Sequence, residues 1–174
     1  MKARAVKGLD PDATLADNLE RIVATRLDEL CSFAPRALDP ARVKALHDMR
    51  IAAKRLRYIL EVAAEPCFPR KVWRDVLNDV KALADALGER RDPDVHLAQL
   101  EEFAAAVKDA DRPGVEVFAE RVRSEQGAGN EALAAALATI EETDLRGRLA
   151  ALSAVASPEN DPRRSFGLQR PVTQ

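Results

Sequence analysis

Apolar residues recur along this chain at three- and four-residue intervals, interrupted at junctions that carry proline and acid. Asp10-Pro11, Asp39-Pro40 and Asp92-Pro93 each place a capping carboxylate before a proline suited to the first helical position. Phe68-Pro69 and Arg112-Pro113 mark further starts, and Gly88 a stop. The pattern predicts helices over 12–33, 40–64, 69–87, 93–109, 114–138 and 143–156, with Gly127 and Gly129 placed to kink or split the fifth. Short connections make consecutive helices antiparallel, so the expected fold is all-α, an up-and-down bundle of about six helices. One helical domain over 12–156 is expected, led by a flexible 1–11 and followed by a disordered 157–174 that holds three prolines and no period.

The second predicted helix separates its faces. At about 100° per residue, His47, Arg50, Lys54, Arg57 and Tyr58 fall within one arc of about 100°. Met49, Ala52, Leu56, Ile59, Leu60 and Ala63 take the opposite side as a core stripe. The third helix repeats the plan, with Lys71, Arg74, Asn78 and Lys81 on one face and Val72, Trp73, Val76, Val80, Leu83 and Leu87 on the other. Acids near these rows are few. Glu61 and Asp85 lie toward helix ends, so the cations are expected to lack neutralising partners one turn away.

Composition supports the helical reading, because aromatics make up only 4% while Ala and Leu abound. Net charge is −2, but residues 42–91 carry 12 basic against 7 acidic side chains, so a basic middle sits in an acidic remainder. No apolar run approaches the ~20 residues that cross a bilayer, and the basic start lacks an apolar leader, so a cytoplasmic protein without a membrane span is expected. Cys31 and Cys67 form no CxxC pair and read as small hydrophobes. Trp73, Phe33, Phe103 and Phe118 fall within apolar stripes and read as core.

The run His47-Asp-Met-Arg50-Ile-Ala-Ala-Lys54-Arg55-Leu-Arg57-Tyr58, followed by Leu87-Gly88-Glu-Arg90-Arg91-Asp92-Pro93-Asp94-Val95, strongly resembles the two signatures of the CHAD family, the conserved-histidine α-helical domains. The resemblance covers roughly 12–156. It implies a helical fold that binds inorganic polyphosphate without catalysis, in members that associate with polyphosphate granules. It implies His47, Arg50, Lys54, Arg55, Arg57, Arg90 and Arg91 as ligands, with Lys81 added and Lys71, Arg74 and Tyr58 as further candidates. Asp92 and Asp94 are expected in support, Asp92 as a helix cap and either acid fixing Arg50 or Arg90. Two departures stand out. Family domains hold two related halves, whereas no second copy of the motif appears here, so the chain reads as one half completed by homodimerisation or as a truncated member. Pro93 also replaces the apolar residue that the second signature prefers.

The residue types suit a flexible polyanion with no bases to read. Helical spacing sets cations on one face, arginine forks take two phosphate oxygens, lysine supplies a point charge, and His47 donates one hydrogen bond when neutral and two when charged. No nucleophile elbow, Walker loop or closely spaced histidine pair is present, so neither an enzyme, a cofactor nor a metal is expected, although His47, Asp48, Asp92, Asp94 and His96 supply suitable donor types. Nucleic acid is the nearest rival ligand. The pI of 5.8 and the absence of aromatic platforms other than Tyr58 weigh against it. A scaffold whose basic face docks an acidic protein is the third reading.

Overall fold

The computed structural model describes residues 2–63, 67–68 and 70–154. The predicted tail over 157–174 lies outside them. Helix α1 spans Leu15–Cys31, a single turn α2 spans Ala34–Ala37, and a 3-10 turn over Pro40–Arg42 leads into α3, Val43–Ala63. Then come α4, Arg70–Ala106, α5, Arg112–Glu142, and α6, Leu145–Ala154. The described residues contain no strand. The protein is an all-α bundle in which α3 packs between α1 and α4, α5 pairs with α4, and α6 closes against α1 and α4.

Two helix starts follow different chemistry. At α1 the cap is Thr14, not Asp10: the Asp17 N–H donates to Thr14 Oγ1, and the Thr14 N–H donates back to the Asp17 carboxylate. The Thr14 hydroxyl holds the Asp17 carboxyl below its ordinary value. Asp39 does cap the 3-10 turn that leads into α3, accepting from the Ala41 N–H at 2.9 Å.

The main correction concerns residues 69–109. The two helices expected there are one, because α4 runs uninterrupted through Gly88 and Pro93 for 37 residues, about 55 Å. Gly88 is not a stop and Asp92 is not a cap. An interior proline costs about 3 kcal/mol because it cannot donate to the carbonyl four residues back. Here that carbonyl is Glu89, and α5 approaches at this point. A Cβ on Gly129 would stand 3.1 Å from the Glu89 oxygen and 3.0 Å from the Arg90 Cα. Close approach of the glycine backbone surrounds the interrupted turn with packed atoms, and Pro93 itself is buried. Helix α5 in turn runs unbroken through Gly127 and Gly129, so neither glycine splits it.

The core is formed by Leu19, Leu30, Leu46, Met49, Leu56, Leu60, Val76, Val80, Leu83, Leu87, Leu133 and Leu145. Trp73 is buried as expected and donates its indole N–H to the Leu60 carbonyl at 2.7 Å, which joins the end of α3 to the start of α4. Three apolar residues assigned to stripes are not core. Val72, Phe103 and Phe118 are exposed, the last two by 57% and 51%. Val43 at the start of α3 reaches α4 around Val95–Glu102, and past that point α4 and the first half of α5 run side by side as a two-helix arm with no third helix over Phe103 and Phe118 among the described residues.

Candidate anion-binding face

Helix α3 turns its apolar stripe inward, which fixes its opposite side outward. His47, Lys54 and Tyr58 are exposed there, and Arg50 and Arg57 are half-buried beside α4. His47, Arg50 and Lys54 stand at i, i+3 and i+7, spanning about 10 Å of helix. Arg50 lies over Gly88, from which a Cβ would reach its Nε at 4.0 Å, and that Nε is buried without a hydrogen-bond partner among the described residues.

The remaining cations divide into four groups. Arg57 and Lys81 are drawn together by acids: Arg57 Nε donates to Glu61 Oε1 at 3.0 Å, Lys81 Nζ stands 3.2 Å from the same oxygen, and Arg57 NH1 lies 3.5 Å from Asp85. The Arg57 hydrogen bond holds the Glu61 carboxyl below the usual glutamate range, with Lys81 adding to the effect and partial desolvation opposing it. The expectation of un-neutralised rows fails here, because Glu61 reaches one cation on each helix.

Arg55 faces α1 instead of the row. Its NH1 donates to Glu29 Oε1 at 3.1 Å, and Glu29 is buried while also taking Arg26 and the backbone N–H of Arg4. The segment before α1 is tied to that helix through this carboxylate, since Arg26 also donates to the Arg4 carbonyl at 2.6 Å.

Arg90 is the clearest departure among the candidate ligands. It is 1% exposed, donating from NH1 to Asp94 Oδ1 at 2.6 Å and from Nε to Asn130 at 3.0 Å. Gln126 donates to the same Asp94 oxygen at 2.6 Å. This network locks α4 to α5 and leaves Arg90 no open side for a solvated polyanion. Arg91 is half-buried, with NH1 3.9 Å from Asp94 Oδ2. Asp92 is exposed in mid-helix. Asn130, Gln126 and Glu29 carry no motif, and only their distant partners give them a role.

Lys71 and Arg74 are exposed at the start of α4. Among the described residues, His47, Arg50, Lys54, Lys71 and Arg74 make no ion pair. No three His, Cys, Asp or Glu side chains among those residues are grouped to hold a metal. No described helix is long and apolar enough to cross a membrane.

Of the signature residues, His47, Arg50, Lys54 and Arg57 thus share the side of α3 away from its core stripe, while Arg55 turns to α1 and Arg90 is buried against α5. The family model described as the CHAD domain matches residues 2–66 and 21–172. The chain belongs to the CHAD family. CHAD domains form a helical binding family associated with polyphosphate. No curated protein matches the chain.

Proposed function

We propose that this CHAD domain binds inorganic polyphosphate without catalysis, along the α3 face centred on His47, Arg50 and Lys54. The observation that carries the reading is this triad, three donors at helical spacing on one outward face with no acid paired to them among the described residues. Arg57 and Lys81 extend the path once phosphate oxygens replace Glu61, and Lys71 and Arg74 continue it toward the start of α4. Arg90 and Asp94 support the site by holding the α4–α5 junction, and Arg91 stands at its edge. Arg55 contributes through Glu29 and the α1 packing.

Much of the affinity comes from counterion release, so binding weakens steeply with salt, and many weak contacts favour long chains over short ones. A cytoplasmic protein with this face accumulates at polyphosphate granules.

The test is titration of long-chain polyphosphate into the wild-type protein and the H47A/R50A/K54A variant, with helicity checked by circular dichroism. Loss of three charge-assisted contacts predicts affinity about a hundredfold or more lower in a folded variant. Unchanged affinity would remove the triad from the site. Displacement of bound polyphosphate by equal phosphate concentrations of duplex DNA would favour the nucleic-acid reading instead.

A further inference from the structure

The residues ahead of α1 are held by their backbone and leave their charges free. Asp10 exchanges two hydrogen bonds with Asn18: its N–H donates to Oδ1 at 2.9 Å, and its carbonyl accepts from Nδ2 at 2.7 Å. Gly8 takes a left-handed backbone, φ 72°, where a Cβ would stand 3.8 Å from the Arg21 Cδ. Arg4 closes the run, its N–H donating to Glu29 and its carbonyl accepting from Arg26. As the segment counts down from 10 to 4, its partners climb from 18 to 29, so it lies antiparallel to α1 over about 16 Å of helix.

Glu29 also joins this segment to α3, because its Oε1 takes both the Arg4 N–H and the Arg55 guanidinium, each at 3.1 Å. Arg55 follows Lys54 in the chain, about 100° around α3 on the flank that meets α1. Helix α3 packs between α1 and α4, so the segment borders the α3 face on the side away from Arg57 and Lys81. Lys2, Arg4 and Lys7 are exposed, and they make no ion pair among the described residues. Arg26 and Arg55 outnumber the Glu29 carboxylate they share, so these three cations add to ground that is already positive. The tether uses the Arg4 backbone and none of the three charged side chains. The fold does not need those charges.

We propose that Lys2, Arg4 and Lys7 form a second bank of cations, onto which long polyphosphate continues from the α3 face. This rests on the proposed function and extends it. The polymer passes from Arg50 and Lys54 over the Arg55 edge and onto the tethered segment. A short phosphate chain is held by the α3 triad alone, whereas a long one engages both banks and gains affinity from the added contacts.

The test titrates tripolyphosphate and long-chain polyphosphate into the full chain as wild type, K2A/R4A/K7A and H47A/R50A/K54A, with thermal denaturation of each. The K2A/R4A/K7A protein keeps the Arg4 backbone bonds and is expected to melt with the wild type. Its preference for long chains over tripolyphosphate is expected to shrink about tenfold or more. Its plot of log affinity for long chains against log salt is expected to flatten by about 2, as three phosphates lose their cations. A preference and a slope equal to the wild type's would overturn the second bank, and so would equal losses for the two ligands. A loss in K2A/R4A/K7A with none in H47A/R50A/K54A would keep the second bank and remove the triad. A wild type that binds neither phosphate would overturn the proposed function and this extension together.

Discussion

Glu61 governs how many cations the α3 face presents, because one carboxylate oxygen engages both Arg57 and Lys81. Replacing it with Gln keeps the shape and removes the charge. The E61Q protein is expected to bind polyphosphate about two- to fivefold more tightly, at a stability loss under about 1 kcal/mol for so exposed a pair. Titration beside the wild type, with urea denaturation of both, checks each half of that statement. The pH dependence has a definite sign. Arg57 lowers the Glu61 pKa in the folded protein, so the clamp's stabilisation is present above the ordinary glutamate value and is lost as pH falls through the lowered one. Wild-type affinity therefore approaches that of E61Q only in that acidic range. A ratio between the two proteins that stays constant through that acidic range would show that the clamp does not hold the cations back.

At the scale of elements, the α4–α5 contact carries the fold's tightest constraint. G129A drives a methyl group into the backbone of Glu89 and Arg90 and is expected to destabilise by about 1–3 kcal/mol. G127A, with open space around its Cβ in the same helix, is expected to be neutral or to stabilise by about 0.5–1 kcal/mol. Thermal denaturation of the two variants separates steric contact from helix propensity. D94A leaves Arg90 buried without its carboxylate and is expected to cost about 3–5 kcal/mol. The same contact explains what was legible beforehand. The α3 row follows from helical period alone, so His47, Arg50 and Lys54 were readable as one face. Asp39-Pro40 and Asp92-Pro93 look alike in sequence, yet only the first begins an element. Packing against Gly129 and pairing of Arg90 with Asn130, 40 residues away, carry the helix through the second. The family resemblance implies Arg90 as a ligand; Asp94, one turn on, lies within the local pattern, whereas Asn130, which helps enclose Arg90, lies on α5 and outside it. Phe103 and Phe118 have core-like spacing, but no third helix among the described residues covers them.

Across the whole molecule, a net charge of −2 is divided between a basic α3–α4 region and an acidic arm. A uniformly basic protein would attract any polyanion at every approach. Here the acidic remainder repels anions elsewhere and leaves the α3 face as the point of attraction. The most direct test of that account is the salt dependence of polyphosphate binding. Each phosphate neutralised by a cation contributes a slope of roughly −0.7 in a plot of log affinity against log salt for a flexible single-stranded polyanion. Three to seven cations along the proposed path predict a wild-type slope of about −2 to −5, flattened by about 2 when His47, Arg50 and Lys54 are replaced by Ala. No binding at low salt, or a slope that the triple replacement leaves unchanged, would contradict it.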